Sequence, residues 1–284
     1  MSELTVGVVG GGVMGISLVQ ALITAGIDTV LTDNHPDVLA SVPARLSAAN
    51  RLARLSTGQA AVRCGHLETA QDIAALRACD LVIENVVESE VVKTHAHQRL
   101  DAVLSERAVV AVNTSAVPIT GLALGTNHPE RMLGAHFMNP VAASSMVEVI
   151  RTSYTAPWAL ETLDQVLDVL GKQAVVVSDA AGFVINRCLM MFISEAAALV
   201  DDQVATPQQV DRLFRGCLGH RTGPLRTADI IGIDTVVRTL DVLSAHYGPE
   251  RFTAAPRLHR MVAEGRLGRK TGKGFYCYSD GETT

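Results

Sequence analysis

The chain has 284 residues, 48% of them apolar, enough to build two cores of ordinary size. A formal charge of −5 argues against a chain built to grip nucleic acid or an anionic membrane through a basic face. Five cysteines, an odd number spread from Cys64 to Cys277 with no C-x-x-C, exclude a disulfide framework and a zinc site. They read as buried thiols of a reducing, cytoplasmic setting. The opening Met1-Ser2-Glu3-Leu4 has no basic segment and is not a secretory signal. The most apolar long stretch, 182–200, carries Asn186, Arg187 and Glu195, which makes it a poor membrane span and a good buried helix.

In chain order, residues 4–9, 29–32, 81–85 and 109–113 are continuous apolar runs rich in Val and Ile, with helical stretches between them. Strands covered on both faces by crossover helices have this composition, so the sequence predicts an α/β fold with a doubly wound, mostly parallel sheet. The runs 133–137 and 146–151 are separated by too little chain for a crossover helix and are expected to pair antiparallel. After a last run at 174–178 the period becomes helical. A long helix is expected at 182–202 and a second from the Thr206-Pro207 cap to about 215. Helices at 228–246 and 256–265 and a closing strand at 275–278 complete the pattern. The boundary divides an α/β domain, 1–178, from a smaller all-α domain, 179–284.

Gly10-Gly11-Gly12-Val13-Met14-Gly15 fits G-x-G-x-x-G at the end of the first strand and the start of a helix. Gly10 permits the tight turn, Gly12 lets the backbone approach a pyrophosphate, and Gly15 lets the helix pack on the strand. The helix N-terminus faces the phosphates with unpaired N–H groups. Asp33 ends the second strand, where a carboxylate would bond the ribose hydroxyls of NAD and repel the extra phosphate of NADP. Glycine-rich turns also serve plain structural ends, but strand, helix and acid together point to a Rossmann-type NAD site.

His136 and Glu148 flank the Asn139-Pro140 turn symmetrically. If their strands pair as a hairpin, the two side chains lie opposite each other, within reach of an imidazole–carboxylate hydrogen bond. That bond fixes the histidine tautomer and suits a general base for an alcohol. Spacing alone favours a core histidine beside a solvated glutamate. His95 and His97, two apart on a helix, read as surface residues. Arg45, Arg51 and Arg54 read as a solvated helix face, with a phosphate of a carrier or of CoA as the alternative. Met190-Met191-Phe192 reads as core or subunit interface, and no metal constellation such as H-E-x-x-H exists.

Further markers run the length of the chain: Asp80-Leu81-Val82-Ile83-Glu84, Asn113-Thr114-Ser115, Pro129-Glu130-Arg131 and His136-Phe137-Met138-Asn139-Pro140. Val147-Glu148-Val149-Ile150, Gly182-Phe183-Val184-Ile185-Asn186-Arg187, Gly223-Pro224-Leu225, Asp229-Ile230-Ile231-Gly232 and Gly268-Arg269-Lys270-Thr271-Gly272 follow in order. With these the sequence resembles the L-3-hydroxyacyl-CoA dehydrogenase family over nearly its whole length. The resemblance implies that His136 and Glu148 are the catalytic dyad, and that Ser115, Asn139 and Asn186 surround the reacting carbon and the nicotinamide. It implies that Glu88, Lys93 and Lys270 contact the cofactor, beside the loop residues Val13 and Met14. The implied chemistry is oxidation of a 3-hydroxyacyl thioester, such as 3-hydroxybutyryl-CoA, with NAD. The implied assembly is a homodimer through the second domain.

Departures from the family pattern fall on the substrate side. Ala116 stands where relatives have a second serine, Ala181 where they have a proline, Arg221-Thr222 for Pro-Met, and Arg226 for an acid. The arm after Asp33, which in the family covers CoA, contains Pro43, expected to break its first helix. Its CoA-touching serine and lysine fall on Ala49 and Ser56. Three other readings therefore stand beside acyl-CoA oxidation. They are a dehydrogenase of a glyceryl group on an acyl carrier protein in polyketide synthesis, a dehydrogenase of a free sugar acid such as gulonate, and a structural, crystallin-like protein.

Overall fold

The computed structural model describes residues 4–57 and 64–278, the side chains of 52–57 apart. The chain divides into two compact units, Met1–Ala180 and Ala181–Thr284. The first holds one eight-stranded sheet. Its elements are β1 Thr5–Val9, α1 Val13–Thr24, β2 Asp28–Thr32, α2 Pro36–Thr57, β3 Leu67–Ala70, β4 Leu81–Glu84, α3 Glu90–Val103 and β5 Val109–Val112. They continue as α4 Ile119–Leu124, β6 Met132–His136, β7 Met146–Arg151, α5 Pro157–Val169 and β8 Gln173–Ser178.

The strand order is β3-β2-β1-β4-β5-β6-β7-β8, and every neighbouring pair is parallel except β6 with β7. The sheet is thus doubly wound and mostly parallel, with the antiparallel pair near one edge. The order reverses between β1 and β4, and a crevice opens there at the carboxyl ends of the strands. Strands β4, β5 and β6 are buried along their whole length, which is why they read as unbroken apolar runs. Val6, Val8, Leu31, Ile83, Ala111 and Leu133 form one cluster with Leu18 and Leu22 of α1 and Leu163 and Val166 of α5.

Two expectations for this unit need correction. Strand β3, Leu-Glu-Thr-Ala, was not visible in the sequence because it pairs only with β2 and buries little. Helix α2 runs through Pro43 rather than breaking there. Val42 and Leu46, on either side of the proline, are buried in the core, and that packing outweighs the lost backbone bond.

The second unit is helical: α6 Ile185–Asp201, α7 Pro207–Leu218, α8 Pro224–Ile231, α9 Ile233–Tyr247, α10 Pro249–Phe252 and α11 Pro256–Ala263. Thr206 caps α7 reciprocally with Gln209, with Pro207 at the first helical position. The helix expected at 228–246 is two helices, because Gly232 at φ +102° turns the chain between α8 and α9. No strand forms at 275–278. The Asp229 carboxylate takes the Phe275 and Tyr276 backbone N–H groups (both 2.9 Å), which a strand would commit to a neighbouring strand, and also the Tyr278 hydroxyl (2.9 Å). Among the described residues no helix is long and apolar enough to cross a membrane.

The cysteine expectation also fails. Only Cys79 is buried, while Cys64, Cys188, Cys217 and Cys277 are exposed. Burial, then the charges of Asp80 and Glu68, push the Cys79 thiol up to about 12, so it stays protonated and inert.

Candidate active site

At the crevice beside β1 the chain leaves the sheet through Gly10, whose φ of +94° and close approach to the Asn85 carbonyl leave no room for a side chain. Gly15, one turn into α1, lies so close to the Gly10 carbonyl that a Cβ there would fall 1.9 Å from its oxygen. Helix and strand can approach this closely only at glycine. Gly12, by contrast, faces open space and Val13 beside it is 67% exposed, so the N-terminus of α1 is bare toward the crevice. Gly10, Gly11, Gly12 and Asp33 line a cavity of about 480 Å³ with Asn34, Val38, Val86 and Val87. The Asp33 carboxylate accepts from Gly11 N–H (2.8 Å) and His35 N–H (2.9 Å), which ties the end of β2 to the glycine loop. A bare helix N-terminus, a glycine cradle and an acid at the end of β2 fit an adenine dinucleotide.

Arg45 also lines this cavity, and its guanidinium donates to the Gly11 carbonyl. It is therefore not simply part of a solvated face. Arg51 is exposed, and the side chains of Arg54 and Ser56 lie outside the described residues. Ala49 packs against the core.

The second feature sits at the end of β6. The β6–β7 register places His136 directly opposite Glu148, with Nδ1 2.9 Å from Oε2. Both are buried, at 5% and 6% exposure, so Glu148 is not a solvated neighbour. Phe137 N–H donates to the Asn113 side-chain oxygen (3.1 Å), and the Asn113 amide donates to the Asn85 side chain (2.6 Å). The ends of β4, β5 and β6 are thereby clamped together next to the histidine. Asn139 lies beyond it, exposed, before a cis bond to Pro140.

Glu88 and Lys93, which the resemblance assigns to the cofactor, are engaged with the protein itself. The Glu88 carboxylate accepts from Thr114 Oγ1 (2.6 Å), Ser115 N–H (2.8 Å) and Ala116 N–H (3.0 Å), and so holds the loop that carries Ser115. Lys93 is fully buried, its Nζ 3.0 Å from Glu84 Oε1 and 3.3 Å from the Asn113 carbonyl. His97 joins this group, with Nε2 2.9 Å from Glu84 Oε2. The surface reading of His97 was wrong, because Glu84 at the end of β4 draws it inward; His95 is exposed and lines the cavity. Burial opposes ionisation of Glu84, but the His97 hydrogen bond and the Lys93 charge outweigh it and hold the carboxyl below its ordinary range.

In the helical unit Asn186 is buried at the start of α6, and Lys270 Nζ pairs with Asp234 at 2.5 Å. Among the described residues no group of His, Cys, Asp and Glu could hold a metal ion. Asn85 and His97 were not legible as site residues, and Arg45 was legible only as an alternative contact for a phosphate of a carrier or of CoA. Asn113 carried a signal, inside the Asn113-Thr114-Ser115 marker.

A glycine-loop nucleotide site and a buried imidazole–carboxylate pair at the ends of one doubly wound sheet define a nicotinamide-type dehydrogenase unit. Comparison with known proteins agrees. The family "3-hydroxyacyl-CoA dehydrogenase, NAD binding domain" matches residues 5–180, and "3-hydroxyacyl-CoA dehydrogenase, C-terminal domain" matches 182–278. A 3-hydroxybutyryl-CoA dehydrogenase of Bradyrhizobium diazoefficiens is 38% identical over 279 residues, 96% of this chain and 94% of its own. The crystal structure of FadB2 from M. tuberculosis superposes with a TM-score of 0.91 at 35% identity, covering 96% of this chain and 98% of that one. That of (S)-3-hydroxybutyryl-CoA dehydrogenase from Ralstonia eutropha gives 0.90 at 32%, covering 98% and 100%. The chain belongs to the 3-hydroxyacyl-CoA dehydrogenase family, NAD-dependent oxidoreductases that act on CH–OH groups.

Proposed function

We propose that the chain oxidises the 3-hydroxyl of an L-3-hydroxyacyl thioester, 3-hydroxybutyryl-CoA among them, to the 3-oxo thioester. The observation that carries this is the buried His136–Glu148 pair at 2.9 Å, in the same unit as the glycine-loop cavity. Glu148 holds Nδ1, so Nε2 is the ring nitrogen that takes the hydroxyl proton. The bound NAD supplies the hydride acceptor for C3. Glu148 then stabilises the imidazolium, while Ser115, on the loop held by Glu88, steadies the substrate oxygen. In reduction the imidazolium returns the proton. The test is production of NADH from 3-hydroxybutyryl-CoA by the purified chain. No turnover on any 3-hydroxyacyl thioester would refute the reading.

A carrier-protein thioester, including the glyceryl group of a polyketide precursor, is the second reading. Arg215, Arg221 and Arg226 around one cavity favour it, since they suit an acidic carrier surface. Assay of the two thioesters side by side separates them. If acyl-CoA is turned over as efficiently as the carrier thioester, the second reading is discarded.

Asp33 sets the preference for NAD. Its carboxylate would face the 2′-phosphate of NADP, a like-charge encounter costing several kcal/mol, so kcat/KM should favour NAD by about a hundredfold or more. Asp33→Ser should narrow the ratio, because Arg45 in the same cavity then meets the phosphate unopposed. Equal efficiency of the two cofactors in the wild type would contradict this role.

The chain assembles as a homodimer through residues 180–284. In support, Leu213 and Leu218 of α7 and Ile230 of α8 are 59%, 65% and 53% exposed, which makes them available to a partner. Residues 279–284 lie outside the described residues. Light scattering at micromolar concentration should give twice the chain mass, and a monomer mass would remove the proposal.

A further inference from the structure

A cavity of about 550 Å³ in the helical unit is lined by Arg215, Arg221, Thr222 and Arg226. The three arginines come from the last turn of α7, the loop after it and the first turn of α8. Four other arginines of this unit are neutralised at close range, while Arg187 and Arg251 lie against the Tyr247 and Phe252 rings instead. Arg238, Arg257, Arg260 and Arg266 hold carboxylate oxygens at 3.0, 2.8, 2.7 and 3.3 Å. Among the described residues the three around the cavity have no carboxylate partner. Like charges gathered round one concavity repel each other, and a counter-charge entering it relieves that repulsion.

Helix electrostatics accounts for Arg215, a cation in the last turn of α7, but works against Arg226 in the first turn of α8. Arg226 is held by other means. Its guanidinium lies 5.7 and 6.0 Å from the Tyr276 and Tyr278 rings, and the Arg226 backbone N–H donates to the Asp211 carboxylate at 2.9 Å. Asp211 also accepts from Leu225 N–H (3.0 Å) and the Tyr276 hydroxyl (2.7 Å), so the buried acid is occupied in fastening α8 and the C-terminal segment. One guanidinium is thus positioned by aromatic rings, while the exposed Arg215 and Arg221 can adjust to a ligand. The planar fork of arginine matches phosphate and carboxylate oxygens bidentately.

We propose that Arg215, Arg221 and Arg226, with the Thr222 hydroxyl, form an oxyanion-binding site that takes an anionic group of the substrate. The nature of that substrate rests on the dehydrogenase reading above. The oxyanion is either a phosphate of the thioester's carrier arm or a carboxylate at the far end of its acyl chain.

Arg215→Gln/Arg221→Gln removes two exposed guanidiniums that have no hydrogen-bond partner among the described residues, and Arg226→Lys keeps the charge but loses the fork. Kinetics on 3-hydroxybutyryl-CoA, S-(3-hydroxybutyryl)pantetheine and a 3-hydroxyacyl-CoA ending in a carboxylate separate the sources. The expected result is a KM raised about tenfold or more wherever the substrate carries the bound oxyanion, more strongly at low salt. A rise for both CoA thioesters but not the pantetheine thioester supports the site and assigns the phosphate. A rise for the carboxylate-ended substrate alone supports it and assigns the acyl carboxylate. Equal changes on all three substrates, or none, overturn the site. If the wild type turns over none of them, the dehydrogenase reading fails, and calorimetry with pyrophosphate and glutarate decides the site separately. Binding that weakens about tenfold in the double variant supports it; unchanged or absent binding overturns it.

Discussion

His136→Ala is expected to lower kcat by roughly 10²–10⁴, the usual worth of a positioned general base. NADH binding, followed by its fluorescence, should change little, because the glycine loop and Asp33 are built on β1, α1 and β2. Glu148→Gln tests the other half of the pair. An amide in that place still accepts from Nδ1–H, which preserves the ring orientation, but it cannot neutralise the imidazolium. Its loss of kcat should therefore be smaller, about tenfold to a hundredfold. Near-normal kcat in His136→Ala on a substrate that the wild type turns over would remove the histidine from the chemistry.

Lys93→Met should be the most destabilising single change in the α/β unit. It strands the Glu84 carboxylate, 0% exposed, with His97 as its remaining side-chain partner. Breaking a buried pair from one side costs about 3–5 kcal/mol at pH 7, readable from urea denaturation. Lys93→Met/Glu84→Gln should recover much of that loss, since no charge is then buried alone. The pH dependence follows from the same group. Glu84 is held below its ordinary value of 4.5, so its contribution to stability is complete above about that pH and is lost as pH falls through the lower folded value. In Lys93→Met the lysine charge and hydrogen bond no longer lower the carboxyl, so it titrates higher than in the wild type and the deficit should shrink on acidification. A single variant within about 1 kcal/mol of wild type at pH 7 would show that the pair is not a structural necessity.

Much of the α/β unit was legible because parallel strands buried on both faces cannot hide their composition. β1, β2, β4 and β5 lie where the Val- and Ile-rich runs lie. β3 was not, because an edge strand with one neighbour needs no apolar run. Pro43 misled for a related reason: local propensity argues for a break, while the burial of Val42 and Leu46 holds the helix through it. The site divides in the same way. The spacing of His136 and Glu148 about a short turn put them within reach of each other, because antiparallel register is set locally, but their joint burial was decided by the structure. His97 could not be placed from its own neighbourhood, since what buries it is Glu84, on another element.

By itself the sequence determined the glycine loop, the acid at the end of β2, the antiparallel hairpin and the family, because each is written in consecutive or locally spaced residues. Tertiary structure alone decided the contacts between distant segments. It brought Arg45 onto the Gly11 carbonyl, set Glu88 to hold the Ser115 loop, and gathered Glu84, Lys93 and His97 into one buried cluster. It also set three arginines around one cavity and one of them, Arg226, near the Tyr276 and Tyr278 rings. The physical reason is that a charge's partner, and so its effective dielectric and its role, is fixed by which elements pack together, and no local pattern records that.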